Sequence, residues 1–224
     1  MKNLLLFLVF VFSVANSMEP HPTNLDNPWL IIFLDIDGVL YREPVRHDFW
    51  EERKDKMIEI FGKLDHYWSF HYDVATAYYF DKEAVATLEN FIDQTSLRYN
   101  VGIVLSSAWR EGRTLEEIYQ VFSPWRFSEF IIDKTVNSAY DGYTKEEIQS
   151  CFHGFASRAD QINHWLKHHS HVNIAHFIIF DDQDSDLSKR FPNQFVRVKT
   201  PYLSLENIGS ATTIINSQEY QLTQ

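Results

Sequence analysis

Trp29-Leu-Ile-Ile-Phe-Leu34 is an unbroken apolar run, and the chain turns acidic at once with Asp35-Ile-Asp37-Gly38. A run without alternation is the pattern of a strand buried on both faces. Val101-Gly-Ile-Val-Leu105 repeats it and ends in Ser106-Ser107; Ile174 to Phe180 repeats it again and ends in Asp181-Asp182. Phe130-Ile-Ile132 and Phe195 to Val198 are shorter candidates. Between these runs the period changes to that of helices. Val85, Leu88 and Ile92 share one helical face; Leu115, Ile118, Tyr119 and Phe122 share another behind a Thr114-x-x-Glu117 capping box. Ala159, Ile162 and Leu166 mark a third, and Thr144-x-x-Glu147 caps a short one. Strands alternating with helices imply right-handed crossovers and a parallel sheet with helices on both faces: an α/β, three-layer, Rossmann-like fold.

At 224 residues the chain has room for one domain plus a small insert. Its single Cys forbids an internal disulfide framework. The net charge of -11 disfavours an extended nucleic-acid surface, although it leaves room for a local basic pocket. The N-terminus has a composition of its own. Lys2 precedes an apolar run from Leu4 to Val14, and Ala15-Asn16-Ser17 offers small residues to a signal peptidase. That run is well short of the roughly 20 residues of a spanning helix, so residues 1–17 read as a cleaved signal peptide. The expected location is secreted or periplasmic, with no membrane attachment after cleavage. Residues 18–28, with three prolines, read as a linker, and 216–224 as a C-terminal tail.

In parallel sheets ligands sit beyond the carboxyl ends of the strands, so the residues after each apolar run are the ones to inspect. Asp35 and Asp37 can face one crevice if the chain loops out after the strand, a turn that Gly38 permits. One carboxylate can then attack phosphorus while the other donates and recovers a proton. Ser106 and Ser107 offer hydroxyls and backbone N–H groups to phosphate oxygens. Asp181 and Asp182 are adjacent carboxylates after a buried strand, costly unless a hard cation such as Mg²⁺ neutralises them.

These three strand ends, in this order, resemble the haloacid dehalogenase-like (HAD) superfamily of phosphatases and phosphotransferases. Val104-Leu-Ser-Ser-Ala-Trp-Arg110, with Ser157-Arg158 opening a helix that runs into Trp165-Leu166, is most similar to the HAD domain of Swiss Army knife RNA-repair proteins. The resemblance covers residues 29–215. It implies Asp35 as nucleophile and Mg²⁺ ligand, and Asp37 as general acid/base that also offers its backbone carbonyl to the metal. It further implies Ser106, with Ser107, as phosphate binder, and Asp181 and Asp182 completing the metal site. Most of the superfamily supplies a Lys as the phosphate-neutralising cation; the aligned residue here is Arg158, with Lys167 as competitor nine residues on. Arg clamps phosphate bidentately, and a Lys near a helix C-terminus more often complements the helix dipole, so Arg158 is preferred. Arg110 is left as either a second phosphate clamp or a surface ion-pair partner.

Residues 41–80 form an insert after the first strand, with Phe49, Arg53, Met57, Ile60, Phe61 and Leu64 on one helical face. Seven aromatics from Tyr67 to Phe80 follow, expected to pack a small helical cap over a rather open crevice. His164, His168, His169, His171 and His176 gather around one helix end. No Glu or Cys completes a zinc site, so they read as solvated helix-end residues. The functional expectation is a Mg²⁺-dependent phosphatase acting on a phosphorylated small molecule or a nucleic-acid end. A phosphotransferase and a catalytically weak phosphate-end binding module are the alternatives.

Overall fold

The computed structural model describes residues 27–42, 49–61, 68–136, 157–184, 186–199 and 201–222. The expected signal segment, most of the linker, Leu64, Tyr67 and the Thr144–Glu147 box lie outside the described residues. Five strands build one sheet: β1 (Trp29–Leu34), β2 (Asn100–Leu105), β3 (Ile131–Lys134), β4 (Ile174–Asp181) and β5 (Phe195–Arg197). All pairings are parallel and the order is β3-β2-β1-β4-β5. The chain builds outward from β1 through β2 to β3, then returns to add β4 on the other side of β1. That reversal makes β1/β4 the topological switch point, where parallel sheets open a crevice at their carboxyl ends.

β1 is central, and its alternation decides both layers. Leu30, Ile32 and Leu34 point into one core with Val85, Leu88, Phe91 and Ile92 of α3 (Lys82–Ser96). Ile118, Val121 and Phe122 of α4 (Leu115–Phe122) join that core, as do Ala211 and Ile215 of α7 (Leu205–Leu222). Ile31 and Phe33 point the other way, against Ala159, Ile162 and Trp165 of α5 (Arg158–His168). Leu187 of α6 (Leu187–Arg190) closes that second core. All of these β1 residues have no exposed surface, as the unbroken apolar run requires.

Local rules set the helix starts. Thr114 and Glu117 form the expected reciprocal capping box before α4. Asp81 caps α3 through the Ala84 N–H, and Ser157 caps α5 through the Asp160 N–H. The insert holds two helices, α1 (Phe49–Phe61) and α2 (Trp68–Ala77), which pack on each other. Arg53 is buried between them, donating to the Tyr41 hydroxyl with its guanidinium 4.5 Å from the Tyr72 ring centre.

The structure corrects three expectations. Phe130 belongs to a 3₁₀ turn, Arg126–Phe130, and the strand starts one residue later, because Ser128 and Trp125 close the turn by hydrogen bonds. His176 is not at a helix end: it lies within β4, buried against Tyr99. α7 continues through residue 222, where the sequence suggests a tail. No helix among the described residues is long and apolar enough to cross a membrane.

Candidate active site

The turn after β1 sets the chemistry. Ile36 is fully buried, and its carbonyl collects the N–H groups of Val39, Leu40 and Tyr41. With Ile36 anchored in the core, Asp35 and Asp37 on either side of it are left at the strand end. Asp35 is buried and continues the sheet, its N–H donating to Phe180 O. Asp37 stands exposed at the mouth of the crevice. Gly38 has φ +76°, a conformation that side chains disfavour. A Cβ there would also lie 2.8 Å from the Asp182 Cβ and closer still to its carboxylate. Gly38 thus serves both the backbone and the close approach of the β4 end.

Asp181 ends β4, buried, and Asp182 follows it half-buried. Carboxylate oxygens of Asp35, Asp181 and Asp182 all lie within 4.8 Å of one another. Asp37 does not join that cluster through its side chain, because its Oδ2 accepts a 3.0 Å hydrogen bond from Trp109 Nε1. Arg158, the first residue of α5, places Nη1 3.0 Å from Asp35 Oδ2 and also pairs it with Asp181 Oδ2. Lys167 is exposed nine residues further along the same helix, about 13 Å away at 1.5 Å rise per residue. Of the two candidates, Arg158 is the cation at the carboxylates.

Crowding shows in the electrostatics. Burial raises the Asp181 carboxyl to about 6; Arg158 opposes this and Asp35 adds to it. Asp182 is raised by burial and by Asp35, with Arg158 and Arg42 pulling the other way. Asp37 is raised because the crevice walls strip its hydration; the Trp109 hydrogen bond opposes that, and Asp35 and Asp182 reinforce it. Burial disfavours the charge on Arg158, but Asp35 and Asp181 outweigh it and its pKa rises.

From β2, Ser106 and Ser107 are buried and their hydroxyl oxygens find no hydrogen-bond partner among the described residues. Asp182 Oδ1 is likewise buried without one. Orphaned buried polar atoms are costly, and these lie at the ends of β2 and β4, the two strands that flank β1. Hydroxyls suit phosphate oxygens, and three carboxylates offer the hard oxygen donors Mg²⁺ prefers. The residues present fit both groups.

Arg110 is not the surface residue that one of its two expected roles requires. It is buried, and it donates to Thr135 O at 2.8 Å, to Ser107 O and to Gln161 Oε1 at 2.6 Å. It ties the loop after β2 to β3 and α5. Trp109 is the residue sequence reasoning missed, since nothing local couples an indole to a carboxylate 72 positions away. Among the described residues the histidines form no three-ligand metal cluster: the His164 and His168 ring centres lie 3.9 Å apart with the planes tilted, and His169 stacks on Trp165 with its Nε2 3.6 Å from Asp133 Oδ2.

The model of the HAD domain in Swiss Army Knife RNA repair proteins matches residues 31–208. The chain belongs to that family. No curated protein and no solved structure matches it significantly. The HAD domain and its aspartate cluster together point to phosphatase-like hydrolase chemistry. The family match begins within β1 and ends within α7, so every site residue above lies inside it.

Proposed function

We propose that the chain is an exported, Mg²⁺-dependent phosphatase that cleaves phosphate monoesters through an aspartyl-phosphate on Asp35. The observation that carries the proposal is the convergence, at the ends of β1, β2 and β4 and the start of α5, of three carboxylates, one arginine and two hydroxyls unpartnered among the described residues. Export rests on the apolar leader of the sequence alone.

The ion would be held by Asp35, Asp181 and Asp182, with the Asp37 carbonyl as a further donor. Bound there, Mg²⁺ supplies positive charge against a dianionic phosphate. Arg158 supplies a second positive charge, and its fork suits two phosphate oxygens. The Ser106 hydroxyl donates to a third oxygen of the phosphoryl group. An Asp35 oxygen attacks phosphorus as the ester P–O bond breaks, and Asp37 gives its proton to the leaving alcohol oxygen. Asp37 then takes a proton from water, which attacks the same phosphorus, releasing inorganic phosphate and freeing Asp35. A raised Asp37 pKa suits a group that must both give and take a proton, and a pure phosphate-binding module has no use for it.

The mature protein should hydrolyse p-nitrophenyl phosphate with Mg²⁺ and lose that activity in chelator or on Asp35→Asn. Failure to turn over any phosphomonoester, nucleotides and phosphorylated oligonucleotide ends included, would overturn the reading.

A further inference from the structure

A cavity of about 390 Å³ opens beside Gly38 and Asp182 and is walled by Arg42, Arg197, Val198 and Lys199. Gly38 and Asp182 also belong to the candidate active site, so the cavity borders it. Arg42 follows the β1 turn, whereas Arg197 and Lys199 come from the end of β5 and the residue pair after it. Among the described residues, three cations and one carboxylate line this hollow, the reverse of the balance of a chain whose net charge is -11.

Like charges gathered at close quarters repel unless an anion enters. Arg197 has partial compensation, donating to Asp182 O at 3.3 Å and lying 3.8 Å from Asp184 Oδ2. Arg42 acts electrostatically on Asp182 but, like Lys199, makes no side-chain hydrogen bond or ion pair among the described residues. The walls are held in place: Leu203 N–H donates to Val39 O at 2.8 Å, and Val198 N–H to Asp181 O at 2.9 Å. Those bonds tie the segment after β5 to the turns that carry Gly38 and Asp182. Val198, only 2% exposed, gives the hollow an apolar floor beneath its cationic rim. The volume falls in the range of small-ligand sites, so it admits more than a lone phosphate.

We propose that this cavity is a second anion subsite, in which Arg42, Arg197 and Lys199 bind a further phosphate of the substrate beyond the one cleaved at Asp35. The inference rests on the phosphatase reading for its meaning and narrows the substrate class to phosphomonoesters with a second phosphate. Two sources share that chemistry: a small bisphosphate, and the first diester of a 5′-phosphorylated nucleic-acid end. Short substrates of either kind fit a local basic hollow in an acidic protein better than a long polyanion does.

The test compares kcat/KM for three substrates: adenosine 5′-monophosphate, adenosine 3′,5′-bisphosphate and a 5′-phosphorylated dinucleotide. At least one substrate with a second phosphate group should exceed the monophosphate by about tenfold, the size expected from charge-assisted contacts. That ratio should fall toward one in Arg42→Ala/Lys199→Ala, and fall with added salt in the unmodified protein. A gain with the bisphosphate alone identifies a small-molecule source, a gain with the dinucleotide alone a nucleic-acid end, and either supports the subsite. A ratio near one, or one unchanged in the double variant, overturns the subsite while leaving the phosphatase reading intact. If no substrate is cleaved, the phosphatase reading fails and calorimetric binding of adenosine 3′,5′-bisphosphate with Mg²⁺ decides. Binding about tenfold weaker in the double variant supports the subsite, and equal or absent binding overturns it.

Discussion

Trp109 Nε1 donates a 3.0 Å hydrogen bond to Asp37 Oδ2, joining the loop after β2 to the turn after β1. The indole is itself wedged among Tyr41, Phe80 and Phe122, with ring centres 5.4 to 5.9 Å away. A rigid aromatic body thereby aims a donor at the one active-site carboxylate that is exposed. The bond favours the ionised form of Asp37 and opposes the rise that its surroundings impose.

Trp109→Phe keeps most of the ring packing and removes the donor, so Trp109 is a positioning residue with a separable effect. The limb of the kcat–pH profile that reports Asp37 should move to higher pH, because a contact that lowers its pKa is gone. A loss of about tenfold in kcat is expected from one charge-assisted bond. The melting temperature should change little. An unmoved profile would show that the bond does not tune Asp37.

Gly38→Ala should damage the site twice. A methyl group at φ +76° strains the turn, and it runs into Asp182. Destabilisation of about 1–3 kcal/mol is expected from the backbone conformation alone. Activity should fall further than stability, since Asp182 must shift to make room. Chemical denaturation and kcat/KM on the same preparation separate the two effects.

Much of the fold and of the site was legible in the sequence, and most of what was not depends on long-range contacts. Asp35, Asp181 and the β2 hydroxyls stood out because, in a parallel sheet, polar atoms straight after an apolar run mark the strand end that faces the ligand. Arg158 was legible only through the resemblance, which aligns it with the position of the usual Lys; the Ser157 cap that starts its helix became visible with the structure. The role of Arg110 was not, because its acceptors include two backbone carbonyls and a glutamine 51 positions away, which leave no pattern in sequence. The basic hollow was invisible for the same reason: Arg42 and Arg197 are brought together only by the return of the chain across β1. Phe130 is a local failure, since three apolar residues are too few to separate a strand from a 3₁₀ turn.

Mg²⁺ should stabilise the folded protein through Asp35, Asp181 and Asp182. At a hundredfold excess over its Kd the linkage is about 2.7 kcal/mol. For a domain of this size that corresponds to a melting shift of roughly 5–10 °C. Chelator should reverse the shift, and Asp182→Asn should shrink it. Differential scanning calorimetry with and without Mg²⁺ measures both, and it needs no substrate.

Stability should also fall as pH rises through the mildly acidic range, and Asp73 of α2 supplies part of that slope. Burial raises its carboxyl to about 6, with Arg113 opposing and Asp37 reinforcing. Its side chain is 21% exposed and pairs with Arg113, so the charge is only partly screened by solvent. The folded pKa lies above the ordinary carboxylate value near 4, so the folded state binds more protons than the unfolded state between the two. The contribution is therefore fully present below about pH 4 and lost as pH climbs through about 6. A two-unit difference is worth about 2–3 kcal/mol. Asp73→Asn stays neutral at every pH and should flatten that part of the slope, whatever the lost Arg113 pair costs at a single pH. Urea unfolding of both proteins at a mildly acidic and a neutral pH decides. The loss of stability between the two should be smaller in the variant by about 2 kcal/mol, and an identical slope would mean that Asp73 titrates normally.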